Sequence, residues 1–305
     1  NNNRDYFLTF SKYHEISKKN ESKNKLAIID AKGEIVDGDV FDNNLSSGHF
    51  SRLIKKVKKG NYKGLLIRLN TPGGSGFASE IIRQEIIQLK DLKIPIIVSM
   101  ADIAASGGYW ISADVDEIWA SPFSLTGSIG VWTALPDFDE SLEDFGINYD
   151  GVSTTKFNPS LITGPDDNSK LLIQSVVNSA YEYFLEVVSN GRNLDKDYTK
   201  TISEGKIWTS IEAKENGLID EIGSQRNSLD RLAQLAKLND YNVDLIEEEI
   251  SFLDQISLFA SDFFPITINN LIDENLTDPI RSIFHNKQKI PFDINLLCLE
   301  CFKDR

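Results

Sequence analysis

Apolar and polar positions run along this chain in two alternating rhythms. Leu26-Ala-Ile-Ile-Asp30 is a short apolar run of strand length. Asp30-Ala31-Lys32-Gly33 reads as a turn, and Glu34–Asp37 as a second short strand. Residues 46–59 shift to a helical period, with a basic face at Lys55, Lys56, Lys58 and Lys59 that is expected to face solvent. The pair of rhythms then recurs. Gly64–Leu69 predicts a strand, and Ala78, Ile81, Ile82, Ile86 and Leu89 predict the helix after it. Lys93–Met100 predicts another strand, followed by a glycine turn and a buried helix from Tyr109. Asp116–Ala120 is again of strand length. Residues 166–190 predict a long helix. Asp166, Asp167 or Asn168 would cap it, Leu172, Val176, Ala180, Phe184 and Val188 would line one face, and Gly191 would stop it. A last helix is expected at about Ser228–Leu238. Strands alternating with helices indicate an α/β fold rich in parallel sheet.

The chain has 305 residues, 41% of them hydrophobic, which is enough for one large core. Its organisation is expected as a lysine-rich linker at 1–24, a domain at 25–240, and an irregular extension at 241–305 suited to an oligomer contact. The net charge of −14 argues against nucleic acid or an anionic membrane surface as a non-specific partner. No run of 18 apolar residues is present. The opening Asn1-Asn-Asn-Arg4 carries neither Met nor a leader pattern, so the chain reads as a piece whose targeting segment would lie upstream. Cys298 and Cys301 are too few for a tetrahedral zinc site and no nearby pattern completes one; a disulfide or two free thiols is expected.

Two glycine turns carry the chemistry. The first is Asn70-Thr-Pro-Gly73-Gly74-Ser75-Gly76, and the second is Ala104-Ala-Ser106-Gly107-Gly108. Each lies between a predicted strand and a predicted helix. Free N–H groups at such places favour negative charge, and a serine nucleophile needs them because an oxyanion forms beside it. Ser106 taken alone reads more simply as a helix N-cap. The second turn changes that reading, since two turns one βα unit apart can hold an oxyanion and present a nucleophile together. Neither turn fits the GxGxxG or GxxxxGK[ST] phosphate fingerprints. A base is also needed. His14, His49 and His285 lie in no motif, so a lysine is the better candidate, although sequence distance alone does not exclude a histidine. Bringing a lysine from about 10.4 to near neutrality costs roughly 4 kcal/mol and demands an apolar pocket.

The runs Arg68-Leu-Asn-Thr-Pro-Gly-Gly-Ser75, Ile103-Ala-Ala-Ser-Gly-Gly-Tyr-Trp110 and Leu125-Thr-Gly-Ser-Ile-Gly130 together resemble the signal peptide peptidase A family. The likeness covers about residues 25–240, and Gly205-Lys-Ile-Trp-Thr209, Ala213 and Gly217–Asp220 extend it. It is closest in kind to the carboxy-terminal half of the long, two-repeat members, and Cys298-Leu-Glu-Cys301 near the end fits that type. The resemblance implies a Clp-protease/crotonase-like fold of repeated β-β-α units and a membrane-anchored serine protease with a Ser/Lys dyad. It implies peptide substrates such as cleaved signal peptides, a homo-oligomer (a homotetramer), no cofactor, and the periplasmic face of a bacterial inner membrane.

Residue by residue, the resemblance makes Ser106 the nucleophile and Ser128 the hydroxyl that orients the base. The backbone N–H groups of Gly73 or Gly74 and of Gly107 would hold the oxyanion. Lys156 is the base candidate, fifty positions after Ser106 as in short members. The Gly146–Lys156 segment, however, is a couple of residues shorter than theirs. In long members the amino-terminal half supplies the lysine, so Lys156 is either the base or a loop lysine. Two other readings stay open: a crotonase-like acyl-CoA enzyme, and a half-site or scaffold inert without an upstream half.

Overall fold

The computed structural model describes residues 22–39, 43–135, 137–148, 152, 164–248 and the backbone of 295–297. The chain opens with β1 (Lys25–Lys32), β2 (Ile35–Val36) and β3 (Leu45–Ser46), then α1 (Ser47–Lys59). β4 (Leu65–Thr71), β5 (Gly73–Ser75) and α2 (Gly76–Asp91) repeat that order. β6 (Ile96–Ala105), α3 (Gly107–Ser112), β7 (Glu117–Ala120) and β8 (Leu125–Gly127) come after them. Next are α4 (Asp139–Asp144), α5 (Asp167–Arg192), α6 (Lys196–Thr201), β9 (Ile207–Thr209), α7 (Ser210–Glu215), β10 (Glu221–Ile222), α8 (Gln225–Leu235), β11 (Asn242–Leu245) and β12 (Asn295–Leu297). The expected α/β class and its β-β-α repetition are both present.

The main sheet runs β10-β7-β6-β4-β1-β11, with every pair parallel. Parallel sheets are covered on both faces, which is why these strands read as continuous apolar runs. Alternation sorts their residues. Ala27, Ile29, Leu65, Ile67, Ile96 and Val98 join the large core beneath α1, α2, α3 and α5. Leu26, Leu66 and Ile97 turn to the other face and pack on Leu229, Leu232 and Ala233 of α8. A second, small sheet, β12-β5-β2-β3, lies beyond the carboxyl ends of β1 and β4.

Four expectations are corrected. Asp30–Lys32, read as part of a turn, belong to β1 and pair with Arg68–Asn70 of β4. Gly191 does not stop the long helix, which continues to Arg192 and ends on Asn193 in the left-handed region. Gly191 serves close approach instead, because a methyl there would lie 2.3 Å from the Ala113 carbonyl oxygen. The expected apolar face of α5 is buried only in its second half. Phe184 and Val188 are core, whereas Leu172 and Val176 stand 48% and 45% exposed. Residues 242–245, expected within the irregular extension, form β11 and extend the sheet beside β1.

Candidate active site

The site begins with a fault in β6. Its register on β4 runs evenly from Leu65↔Ile96 to Leu69↔Met100, then slips so that Thr71 faces Ala104. The Asn70 side chain fills the slip, accepting from Ile103 N–H at 3.1 Å and donating to Asp102 at 3.3 Å. Bulges bend a strand and re-aim the residues beyond them. Here β6 leaves β7 after Met100 and pairs instead with β8, Ile103↔Leu125 through Ala105↔Gly127. Ser106 and Ser128 are the next residues of those two neighbouring strands, which puts them about 5 Å apart in backbone. The Ser106 N–H donates to Gly127 O at 2.8 Å and fixes the junction.

Ser106 is not the ordinary N-cap that its local sequence allows. It stands at φ 54°, ψ −114° and its side chain caps nothing. That conformation mirrors an ordinary extended one, so only glycine reaches it freely; a serine held there costs roughly 1–3 kcal/mol. Its Oγ is fully buried and has no hydrogen-bond partner among the described residues, and the same holds for Ser128 Oγ. Ser128 too has positive φ, 48°, and its turn is pinned by backbone, with N–H donating to Lys206 O at 2.7 Å. Buried polar atoms are satisfied as a rule, so two neighbouring hydroxyls left unbonded suit one further polar group that bonds both.

The first glycine turn closes over the second. A methyl on Gly107 would lie 2.5 Å from Ser79 Oγ and 3.5 Å from the Cα of Gly73, and one on Gly108 would lie 2.6 Å from Thr71 Cγ2. Only glycine permits that approach. Gly73 and Gly74 have φ of 109° and 146°. The Gly73 N–H donates to Thr71 Oγ1 at 3.1 Å, and Gly74 pairs with Ile35 of β2. The Gly107 N–H belongs to the first turn of α3, where no intrahelical acceptor exists. The structure therefore brings Ser106, Ser128, Gly73, Gly74 and Gly107 into one place. Lys156, Cys298, Cys301, His14 and His285 lie outside the described residues. His49 is on α1, engaged with Glu248 at 3.0 Å. Lys206, whose carbonyl pins Ser128, turns its own amine to Thr201 O at 2.8 Å.

Residues with no assigned role from sequence hold the serine turn rigid. Tyr109, wholly buried, donates its hydroxyl to Leu218 O at 2.7 Å, and burial pushes its ionisation well up. Trp110 Nε1 donates to Glu80 Oε2 at 2.7 Å. Glu80 also takes Arg83 Nε at 2.8 Å, Gln84 Nε2 at 2.7 Å and the Tyr183 hydroxyl at 3.1 Å. Burial alone would raise its carboxyl; the hydrogen bonds from Arg83, Gln84 and Trp110 outweigh that and bring it below the usual range. Arg83 continues the network to Asp114. No local signal marks Glu80 in the sequence, because its partners come from α2, α3 and α5.

Among the described residues no group of His, Cys, Asp and Glu suits a metal ion, and no helix is long and apolar enough to cross a membrane. A strained, uncapped serine thus lies between two interlocked glycine turns, at the carboxyl end of a parallel sheet. The profile of Peptidase family S49 matches residues 88–239. The chain is 37% identical to Protease 4 of Haemophilus influenzae over 246 residues, covering 78% of this chain and 39% of that protein. It is 34% identical to Protease 4 of Salmonella typhi, covering 76% and 38%. It is 31% identical to the chloroplastic serine protease SPPA of Arabidopsis thaliana, covering 73% and 34%. A mutant of the 1510-N membrane-bound stomatin-specific protease superposes with a TM-score of 0.48 at 18% identity, over 75% of this chain and 100% of that one. The chain belongs to peptidase family S49, and it is of the signal peptide peptidase A type. It spans about two fifths of the length of the two Protease 4 relatives.

Proposed function

We propose that this chain carries the nucleophile of a serine endopeptidase that works through a Ser/Lys dyad. The observation that supports this most is the unbonded, buried pair Ser106 Oγ and Ser128 Oγ. A neutral lysine amine has one lone pair and two N–H groups. It could accept the Ser106 proton while donating to Ser128, so one group would satisfy both hydroxyls. Ser106 would then attack a peptide carbonyl, and the lysine would pass the proton to the leaving amine. The Gly107 N–H, with that of Gly73 or Gly74, would hold the oxyanion. At Gly73 the oxyanion must displace the Thr71 hydroxyl. Water would hydrolyse the acyl-enzyme.

The base is Lys156 or, as in the long members this chain resembles, a lysine from an upstream half. Extended peptides, signal peptides among them, are the proposed substrates, and the periplasmic side of a bacterial inner membrane the proposed location. A homo-oligomer is the proposed assembly; the exposed Leu171, Leu172 and Val176 on the first half of α5 fit a covered surface. The test is hydrolysis of an internally quenched apolar peptide by the parent chain, Ser106→Ala and Lys156→Ala. Turnover lost in both, with folds intact, supports a dyad complete in this chain. Turnover kept in Lys156→Ala but lost in Ser106→Ala assigns the base to another residue of this chain, and a folded parent with no turnover assigns it to an upstream half. Turnover kept in Ser106→Ala overturns the proposal.

A further inference from the structure

The run Arg68-Leu69-Asn70 leads into the first glycine turn, and its two polar side chains both reach across to β6. They meet the slipped part of the pairing. Between Leu69↔Met100 and Thr71↔Ala104, β4 advances two residues while β6 advances four. The surplus stretch breaks the ladder, so its backbone groups must find other partners. Met100 O accepts from Arg68 Nη1 at 3.1 Å and from Ser121 N–H at 3.2 Å. Ala101 O accepts from the Ser124 hydroxyl, and Ala104 O from Thr126 Oγ1 at 2.7 Å. The carbonyls are thus held from β4, from β8 and from the loop before β8. The Ile103 N–H is held by a side chain, donating to Asn70 Oδ1 at 3.1 Å. Ile103 is also the first residue of β6 to pair with β8.

An amide side chain both accepts and donates, and Asn70 uses each end. Its Oδ1 takes the Ile103 N–H, its Nδ2 donates to the Asp102 carboxylate at 3.3 Å, and its own backbone C=O accepts from Gly33 N–H at 3.1 Å. Lys32, its register neighbour on β1, is tied to Asp30 at 2.7 Å. We propose that Asn70 is a positioning residue for the nucleophile, its amide locking Ile103 to the β8 register and so placing Ser106 beside Ser128. The proposal rests on the reading of Ser106 as nucleophile. From Ile103 the register runs through Ala105↔Gly127 to the bond from Ser106 N–H to Gly127 O. A slip of one residue would set Ala105 or Gly107 where Ser106 stands and reverse the faces of the strand. Asn70 touches no reacting atom; it acts through Ile103-Ala104-Ala105. Misplacing a reacting group by about 1 Å costs on the order of 10²-fold in rate, while the affinity for the reagent need not change.

The test uses the full chain and three variants: Asn70→Ala, Asn70→Asp, and Asn70→Asp combined with Asp102→Asn. The double variant rebuilds both bonds with the second reversed, because a carboxylate at 70 accepts from the Ile103 N–H and from an amide at 102. Two readouts are taken. One is amide hydrogen exchange at Ile103 and Ser106, with Leu66 in the middle of β4 as the reference. The other is the concentration dependence of fluorophosphonate labelling at Ser106. Asn70→Ala should speed exchange at Ile103 and Ser106 but not at Leu66. It should lower the maximal labelling rate about 10²-fold and leave the half-saturating concentration unchanged. Asn70→Asp, which sets two carboxylates together, should show the same defects, and the double variant should restore the parent's behaviour. Where Asn70→Ala does not fold, the two aspartate variants decide. Unchanged exchange at Ile103 and Ser106, an equal rise at Leu66, a labelling loss carried by the half-saturating concentration, or a double variant no better than Asn70→Asp overturns the proposal. If exchange responds and is rescued while the parent takes no label, the positioning by Asn70 stands and the base lies upstream. If exchange responds and another serine takes the label, the hold on Ile103 stands and the nucleophile reading falls.

Discussion

Ser75 and Ser106 hold equivalent places in successive strand–turn–helix units, and they do opposite things. Ser75 sits at φ −55° and its Oγ accepts from Ala78 N–H at 3.2 Å, so it caps α2. Ser106 sits at φ 54° and its Oγ bonds to none of the described residues. One hydroxyl is spent on the fold. The other is withheld from it, in a conformation that costs free energy and persists only because the surroundings over-determine it. Those surroundings are specific: the Asn70-filled bulge, the Gly127 carbonyl, the Gly73–Gly107 contact, and the anchors of Tyr109 and Trp110. The comparison teaches that strand, glycine, serine and helix do not by themselves distinguish a cap from a nucleophile. Backbone conformation and the fate of the hydroxyl do.

The largest effect should come from removing that hydroxyl. Ser106→Ala should lower peptide turnover by about 10⁴-fold or more, with the melting temperature held or slightly raised. Ser75→Ala should instead lower stability by about 1 kcal/mol through the lost cap. Measured turnover and chemical denaturation of the two variants would break the comparison if their effects were alike.

Next is the contact between the turns. At Gly74 a methyl would meet the Ile35 carbonyl oxygen at 2.1 Å. Gly74→Ala should destabilise by about 3 kcal/mol or prevent folding of the small sheet, read by denaturant midpoint.

The Glu80 clamp ranks third. Its carboxyl lies below the ordinary range in the folded chain, so its contribution is present above about pH 4.5 and is lost as pH falls through the lower folded value. Glu80→Gln should cost about 1–2 kcal/mol at pH 7 and flatten the acid limb of the stability profile below pH 4.5. Denaturation of parent and variant at pH 7, 5 and 3.5 checks both the size and the sign.

The smallest effect sharpens the comparison most finely. Ser106→Gly should raise stability by about 1 kcal/mol, because glycine adopts the mirror-image conformation freely and no hydroxyl stays unbonded. Ser75→Gly should change it by only a few tenths in the other direction. Equal signs would mean that Ser106 carries no strain.

Much of this was legible in the sequence because it is local. The strand runs from Leu26, Gly64 and Lys93 appear as β1, β4 and β6, and the period through Ala78, Ile82, Ile86 and Leu89 appears as α2. Both glycine turns could be picked out from their residues, whereas the place of Ser128 beside Ser106 came only as what the family resemblance implies. The illegible parts depend on distant partners. The register slip that aims Ser106 at Ser128 needs Asn70 of β4 and β6 together. The first half of α5 has an apolar stripe, but where that stripe finds a partner is not a local property. Gly191 looked like a helix stop because its real reason, the Ala113 carbonyl, lies far off in the chain. The pairing of residues 295–297 with β5 has no periodic signal at all, since three residues on a strand edge need none.

The most direct test is to treat the full chain with a serine-reactive fluorophosphonate and map every adduct by mass spectrometry. The account predicts label on Ser106 alone, none on Ser75 or Ser128, and none anywhere in Ser106→Ala. Label on Ser75 or Ser128 at a comparable rate, or label retained in Ser106→Ala, would contradict it, whereas a folded parent chain with no label would assign the base to an upstream half.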